Sequence, residues 1–188
     1  MSIRGPQVDW LRPGQGNGLR FVAAIGVAAV FLQVTLMPRL DLGPFAAIPN
    51  LVVATVVAVA ALRGVVVGAT FGFTAGLLVE LLSPGDTLGV LAIAYVAIGA
   101  WCGRFASGSE PIGRLTAVVL VMAASALVPI WLAVVGLLRG DGPPFGYLVG
   151  HLVIPQLVLA PLMALPAWWV ARRLLGAPRE VEPWLVAT

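Results

Sequence analysis

The residues that could carry chemistry in this chain are few and widely separated. Its apolar stretches contain one acid, Glu80, one histidine, His151, and one cysteine, Cys102, and these lie far apart in the sequence. A metal site needs several ligands at short spacing, and nucleophilic catalysis needs a base beside the nucleophile. Neither pattern occurs, and neither GxxxxGK[ST] nor GxGxxG marks a phosphate-binding loop. We therefore expect no enzyme activity and no catalytic, cofactor or metal site.

Glu80 needs a physical reason, because a carboxylate in a membrane-spanning stretch costs free energy that decreases toward the membrane surface. One interpretation is an interfacial acid that reaches headgroup water one turn before the turn at residues 83–85. The other is a polar contact that holds an outer loop or a partner protein. A proton relay would need further acids within the apolar stretches, and Asp41, Asp86 and Asp141 all belong to predicted loops.

Glu80 also continues a regular series of glycines, which recur at every fourth position: Gly64, Gly68, Gly72 and Gly76. In a membrane, small residues at this spacing let two helix backbones approach closely. The series therefore predicts a groove, which either a neighbouring helix of the same chain or the helix of a partner fills. Gly99 and Gly103 form a shorter copy of the pattern in the next apolar segment.

The composition indicates the solvent in which these residues lie. Of the 188 residues, 60% are hydrophobic and 10% are charged, against about 25% charged in an average soluble domain. A mean hydropathy of +1.02 leaves too few polar side chains to cover a soluble core. This excludes a soluble enzyme, a disulfide-stapled secreted domain and a disordered tail. The eleven basic residues are all arginines that stand singly or in pairs, so we expect no nucleic-acid binding.

The charges divide the chain into six apolar segments, at residues 19–37, 48–62, 65–82, 88–105, 115–138 and 148–175. They are too long and too uniformly apolar for strands of a membrane β-barrel, which alternate over about ten residues. We predict a single all-α domain: a six-helix transmembrane bundle over residues 19–175 with tails at 1–18 and 176–188. Five helices are the alternative, if Arg63-Gly64 bends one long helix. The first segment is too long for a typical cleavable signal sequence.

The arginines predict the orientation of the bundle in the membrane, since cytoplasmic loops carry an excess of positive residues. With both termini in the cytoplasm, nine arginines fall on the cytoplasmic side and two, Arg39 and Arg139, on the outer side. Trp168-Trp169 before Arg172-Arg173 is typical of an anchor at the inner membrane surface. Pro129 in the fifth segment, with three prolines in the sixth, predicts kinked helices.

Short motifs between residues 48 and 105 form a recognisable set. They are Ile-Pro-Asn-Leu at 48–51, Leu-Arg-Gly at 62–64, Gly68, Gly-Phe-Thr-Ala-Gly-Leu-Leu-Val-Glu at 72–80, Leu-Gly at 88–89 and Ala-Tyr at 94–95. This stretch resembles the rod shape-determining protein MreD family, and its family-motif positions include Pro49, Asn50, Leu88 and Gly89. Asn50 and Glu80 both stand where the family usually has aspartate, so Asn50 lacks the family's charge.

The resemblance implies a non-enzymatic scaffold of bacterial cell elongation in the cytoplasmic membrane. Such a subunit pairs with the bitopic protein MreC and links the actin-like MreB filament to peptidoglycan synthesis. Further partners would be RodA and a class B penicillin-binding transpeptidase. The family is also similar to the six-helix S components of energy-coupling-factor transporters. A small-solute-binding transporter subunit is therefore the alternative function. Its proline-kinked helices favour it, whereas few polar midspan residues disfavour it. A membrane-embedded enzyme is the third alternative, which the missing catalytic set disfavours.

Overall fold

The computed structural model describes residues 15–35, 50–83, 88–106 and 113–176, and nearly all of them are helical. The six helices are α1 (Gln15–Thr35), α2 (Leu51–Arg63), α3 (Val65–Leu82), α4 (Val90–Ala106), α5 (Arg114–Arg139) and α6 (Phe145–Leu175). The all-α prediction is confirmed for this part of the chain. Pro49 and most of both predicted tails lie outside the described residues.

Three helices are long and apolar enough to cross a membrane by length and composition. They are α3, residues Leu115–Arg139 of α5, and α6, with mean hydropathies of 2.0, 2.6 and 2.0. The apolar parts of α1, α2 and α4 are shorter than 18 residues. The structure thus supports membrane association directly through three helices, and the other three need a reason for their shorter length.

The junction between α2 and α3 lies at Gly64, which separates two helices and does not bend one. Gly64 has φ +86°, a region that favours glycine because it has no Cβ. Its N–H still donates to the carbonyl of Ala60, which closes the last turn of α2. Gly68 of α3 then packs directly on Ala60, eight residues earlier in the chain. The chain therefore turns back on itself, which agrees with six helices and not with the five-helix alternative.

Helix α2 lies at the centre of the bundle and contacts each of the other five helices. Every residue from Val52 to Leu62 is buried, so the helix has no outward face. Valine and alanine make up most of this stretch and carry no polar atoms that would need a partner there. A sequence that is apolar all round is what such a position requires.

The first turn of α2 is capped by two side chains. The side-chain oxygen Oδ1 of Asn50 accepts from the backbone N–H of Val53 at 3.0 Å. The Oε1 atom of Gln33 on α1 accepts from the N–H of Leu51 at 2.7 Å. These two acceptors satisfy first-turn N–H groups that have no partner within the helix itself.

Helix α6 is long and begins irregularly. After one short turn at Phe145–Tyr147 it forms π-helical turns at Leu148–Val153 and continues as an α-helix through Ile154–Leu175. Ile154 donates to the carbonyl of Val149, five residues back, and Pro155 next to it has no N–H to donate. The prolines predicted an irregular α6, and the irregularity takes the form of a π-helical segment before Pro155.

The helices alternate in direction, so the bundle has two chemically distinct ends. At one end Arg63 donates to the carbonyl of Leu175, and Gly103 packs on Val65. We call this the arginine end, which also carries Arg20, Arg104, Arg172 and Arg173. We call the other the Glu80 end. It holds Asn50, Glu80, Gly89, Arg139 and Asp141.

Candidate functional site

The predicted glycine series forms a seam between α3 and α4. A methyl group on Gly76 would lie 2.6 Å from the Cα of Ala92, and one on Gly68 would lie 2.7 Å from the carbonyl oxygen of Gly99. A methyl group on Gly72 would overlap the backbone carbonyl of Tyr95. Side chains are therefore excluded at all three glycines, because backbone lies directly against backbone. The sequence left open whether a helix of the same chain or of a partner fills this groove. In the structure it is α4 of the same chain.

The shorter glycine pair on α4 supplies the other side of the same seam. A methyl group on Gly103 would lie 2.6 Å from the Cα of Val65, and one on Gly99 would overlap the carbonyl of Gly68. Gly64 differs from the other members of its series. A methyl group there would meet nothing within 4 Å, and the residue is needed for its positive φ at the turn. Gly64 is therefore needed for the turn, whereas Gly68 is needed for the close approach of α3 and α4.

Glu80 closes the seam at the other end by holding the start of α4. Its Oε2 atom accepts from the backbone N–H of Gly89 at 2.7 Å, and its Oε1 atom accepts from that of Leu91 at 2.6 Å. The side chain is 9% exposed. A carboxylate is well suited to this place because the first N–H groups of a helix have no partners within it. Glu80 is therefore a polar contact that ties the end of α3 to the start of α4 in the same chain.

The backbone at Gly89 is shaped for this contact. Gly89 has φ +95°, and a side chain in that conformation would be strained. Leu88 before it is largely exposed. The Leu-Gly motif at 88–89 therefore places a glycine, which adopts this conformation without strain, where its N–H donates to Glu80, immediately before Val90 starts α4.

A second polar group joins α2 to α4 at the same end. The Nδ2 atom of Asn50 donates to the hydroxyl oxygen of Tyr95 at 3.1 Å. Tyr95 is 2% exposed, and its backbone carbonyl faces Gly72 across the seam. Asn50 thus acts twice, as the cap of α2 through Oδ1 and as a tie to α4 through Nδ2. The Tyr95 hydroxyl also lies 3.4 Å from Oδ1 as a donor, so an aspartate here could cap α2 and accept from Tyr95 but could not donate to it.

Tyr95 and Gln33 were missed as site residues by reasoning from the sequence alone. A signal was present for Tyr95, because it is one of two tyrosines in the chain and lies within an apolar segment. A buried tyrosine hydroxyl usually has a hydrogen-bond partner. Trp131 gave a similar signal, and its Nε1 atom donates to the carbonyl of Val90 at 2.9 Å, which ties α5 to the start of α4.

The remaining reactive side chains lie apart from this group. His151 is exposed in the π-helical segment of α6 and stacks on Tyr147, with ring centres 4.9 Å apart. Cys102 is fully buried in α4. Among residues 15–35, 50–83, 88–106 and 113–176, no three His, Cys, Asp or Glu side chains are grouped closely enough to hold a metal ion.

Two apolar depressions flank the end of α6 that carries Trp168 and Trp169. One groove of about 410 Å³ lies between α1 and α6 and is floored by Leu51 and Thr55 of α2. The other, of about 1000 Å³, lies along the last turns of α6. The walls of the first are almost entirely apolar, whereas Arg172 and Arg173 also line the second, and the two share Pro166.

The geometry thus brings the described residues of the sequence motifs into one unit of α2, α3 and α4. Comparison with known proteins adds no family: no family model, no curated protein and no solved structure matches this chain.

Proposed function

We propose that the chain is a multi-pass scaffold subunit of the bacterial cell-elongation machinery, held in the cytoplasmic membrane and paired with an MreC-like bitopic protein. The proposal rests on the motifs that resemble the MreD family. Its further partners would be MreB, RodA and a class B penicillin-binding transpeptidase, which act through the same complex.

The observation that carries the proposal is that the separate motifs meet in space. Asn50 of the first motif binds Tyr95 of the last one. Glu80, at the end of the glycine motif, binds the backbone of Gly89 in the Leu-Gly motif. Gly68 lies against Gly99. Motifs that are scattered over 58 positions of sequence therefore serve one structural unit, and this supports the proposal.

The shorter helices agree with a six-span reading. The first turn of α2 is satisfied inside the bundle by Asn50 and Gln33, and that of α4 by Glu80. Because these donors already have acceptors within the protein, the first turns do not depend on water for hydrogen bonds, which supports spans shorter than the roughly 20 residues that cross a bilayer. We propose that all six helices lie within the membrane.

The arginines at one end suggest the orientation. Arg20, Arg63, Arg104, Arg172 and Arg173 all lie at the arginine end, whereas the Glu80 end has Arg139 with Asp141 two residues later. By the positive-inside rule the arginine end faces the cytoplasm, and both termini are cytoplasmic.

A partner helix is expected on a face other than the glycine seam, because α4 fills that seam completely. The lipid-facing surfaces of α1 and α5 offer large exposed side chains such as Phe31, Val119 and Leu138. Photo-crosslinking residues at Phe31 and Val119, with buried Ile98 as the matched control, would locate the contact.

The test is depletion of the protein in its own host together with purification of the tagged full chain from solubilised membranes. We expect cells to widen and round, and we expect a single-span protein to co-purify. Normal cell width after complete depletion would contradict the proposal. So would a retained vitamin together with ATP-binding-cassette subunits, which would instead favour the transporter alternative.

A further inference from the structure

The groove between α1 and α6 opens at the arginine end and runs toward the Glu80 end. Its α1 wall extends from Phe21 to Leu32, about 17 Å of helix at a rise of about 1.5 Å per residue. Its α6 wall reaches Leu174, two residues before Gly176 ends that helix. The chain that continues beyond Gly176 therefore starts at the mouth of the groove.

The inside of the groove suits a narrow apolar occupant. Among the described residues that line it, Thr55 is the one with a polar side chain, and its hydroxyl already donates to the carbonyl of Leu51 at 2.8 Å. A helix with its side chains is about 10 Å across, so a 17 Å length of helix needs more than about 1000 Å³. The groove holds about 410 Å³, which admits an extended chain and not a further helix.

The mouth of the groove is basic on both walls. Arg20 directly precedes Phe21 on α1, and Arg173 directly precedes Leu174 on α6, and both arginines are exposed. The two acids in the described segments both lie at the Glu80 end of the bundle. Complementary charge at this place requires an occupant that is acidic at the mouth and apolar farther in.

The sequence beyond Gly176 carries side chains in this order. Residues 180–186 read Glu-Val-Glu-Pro-Trp-Leu-Val. In an extended segment alternate side chains point the same way, so Glu180, Glu182, Trp184 and Val186 would share one face. At about 3.3 Å per residue, the eight residues from Gly176 to Trp184 reach up to about 26 Å, which exceeds the length of the groove. The segment is therefore long enough to turn back and enter it.

The N-terminal segment also adjoins the arginine end, but its charge does not fit the mouth. It contains the same Trp-Leu pair, at residues 10–11, with Asp9 beside it. Arg4 and Arg12 outnumber that single acid, so the segment would bring positive charge to positive charge. Residues 177–188 contain two acids and one arginine, which favours this segment as the occupant.

We propose that residues 180–186 dock as an extended segment in the groove between α1 and α6 of the same chain. The two glutamates lie at the arginines of the mouth, and the side chains of Trp184 and Val186 enter the groove. The docked segment joins the first described helix to the last and closes the groove to lipid chains. The inference does not depend on the proposed scaffold function and would remain if that function were wrong.

The test places a photoreactive diazirine side chain at position 28, on the α1 wall of the groove, in the full-length protein in membranes of its host. Trypsin cleaves after Arg179, so residues 180–188 are released as one peptide for mass spectrometry. We expect this peptide to be joined to the α1 peptide, and we expect the intact adduct to keep the mass of one chain. Trp184→Ala should lower the yield about fivefold, because the ring supplies most of the buried apolar area. Glu180→Gln combined with Glu182→Gln should lower it about threefold at low salt and less at high salt, since exposed ion pairs are weak and screened.

Two controls separate this contact from general effects. Trp10→Ala alters the other Trp-Leu pair and should leave the yield unchanged. The same diazirine at position 119, on the exposed face of α5, should react with lipid and not with residues 180–188. Reaction at position 28 with lipid alone, with the N-terminal segment, with a second copy or with another protein would overturn the proposal, as would an unchanged yield in Trp184→Ala. Cell width after depletion tests the scaffold function separately, so failure of one proposal is distinguishable from failure of the other.

Discussion

Gly68 on α3 and Gly99 on α4 face each other so closely that a methyl group on either would meet the carbonyl oxygen of the other. The contact is reciprocal, so neither helix can accept a side chain at this level. Gly72 and Gly76 repeat the arrangement toward the Glu80 end. The seam therefore depends on a set of glycines whose replacement cannot be absorbed by a flexible side chain.

We expect Gly72→Ala to destabilise the protein by about 1–3 kcal/mol, the usual cost of adding atoms to a well-packed interior. The added methyl group would collide with the backbone carbonyl of Tyr95. The melting temperature in detergent measures this. Gly150→Ala is the control, because a methyl group there would meet nothing within 4 Å. Equal melting temperatures for the two variants would contradict close packing at Gly72.

Glu80→Gln should weaken the start of α4 but keep it in place. The amide retains one acceptor oxygen, but its NH2 group would face a backbone donor at Gly89 or Leu91. Glu80→Leu should cost more, since it leaves two N–H groups without acceptors, each worth about 1–3 kcal/mol when buried. The rate of amide hydrogen exchange at Leu91 measures the loss of its hydrogen bond to Glu80. Asp141→Asn, an exposed acid at the same end, should leave that rate unchanged.

The tie between Asn50 and Tyr95 can be measured by a double-mutant cycle. Tyr95→Phe removes the hydroxyl that accepts from Asn50 and should cost about 0.5–1.5 kcal/mol. Asn50→Ala removes the cap of α2 as well and should cost about 1 kcal/mol more. Since the two residues are in direct contact, the double variant should lose less than the sum of the single losses. Strict additivity would show that the hydrogen bond contributes nothing to stability.

Orientation in the membrane can be tested by labelling single cysteines in intact cells after Cys102 has been replaced. Ser2→Cys and Thr188→Cys should resist an impermeant reagent added from outside, because both termini are proposed to be cytoplasmic. Asp141→Cys is the positive control, since Asp141 is exposed at the Glu80 end. Labelling of either terminus together with protection of position 141 would show that the topology is the reverse of the one proposed.

Much of the fold was predictable because charges and glycines mark the ends of apolar segments. Arg63-Gly64 marked the end of α2, and Gly64 does adopt the positive φ that stops a helix. The spacing of Gly68, Gly72 and Gly76 identified one face of α3. The spacing of the glycines shows which face of α3 packs closely but does not show which helix packs on it. The sequence therefore could not decide between α4 and the helix of a partner protein.

The role of Glu80 was less predictable for a related reason. Its acceptors reach across a connection to Gly89 and Leu91, and only the close approach of α3 and α4 brings those N–H groups within range. The central position of α2 was also hidden. The apolar character of the segment at 48–62 was plain, but its sequence did not indicate that it contacts all five other described helices or that Asn50 and Gln33 satisfy its first turn.

The central position of α2 has a consequence for the order of events during synthesis. Chains emerge from the ribosome N-terminus first, so α2 is made second, yet its surroundings include α5 and α6, which are made last. Arg63 at its end donates to Leu175, near the last described residue of the bundle. A nascent chain that stops before α6 would leave one side of α2 uncovered. Burial of α2 is therefore complete only after α6, the last described helix, has been made.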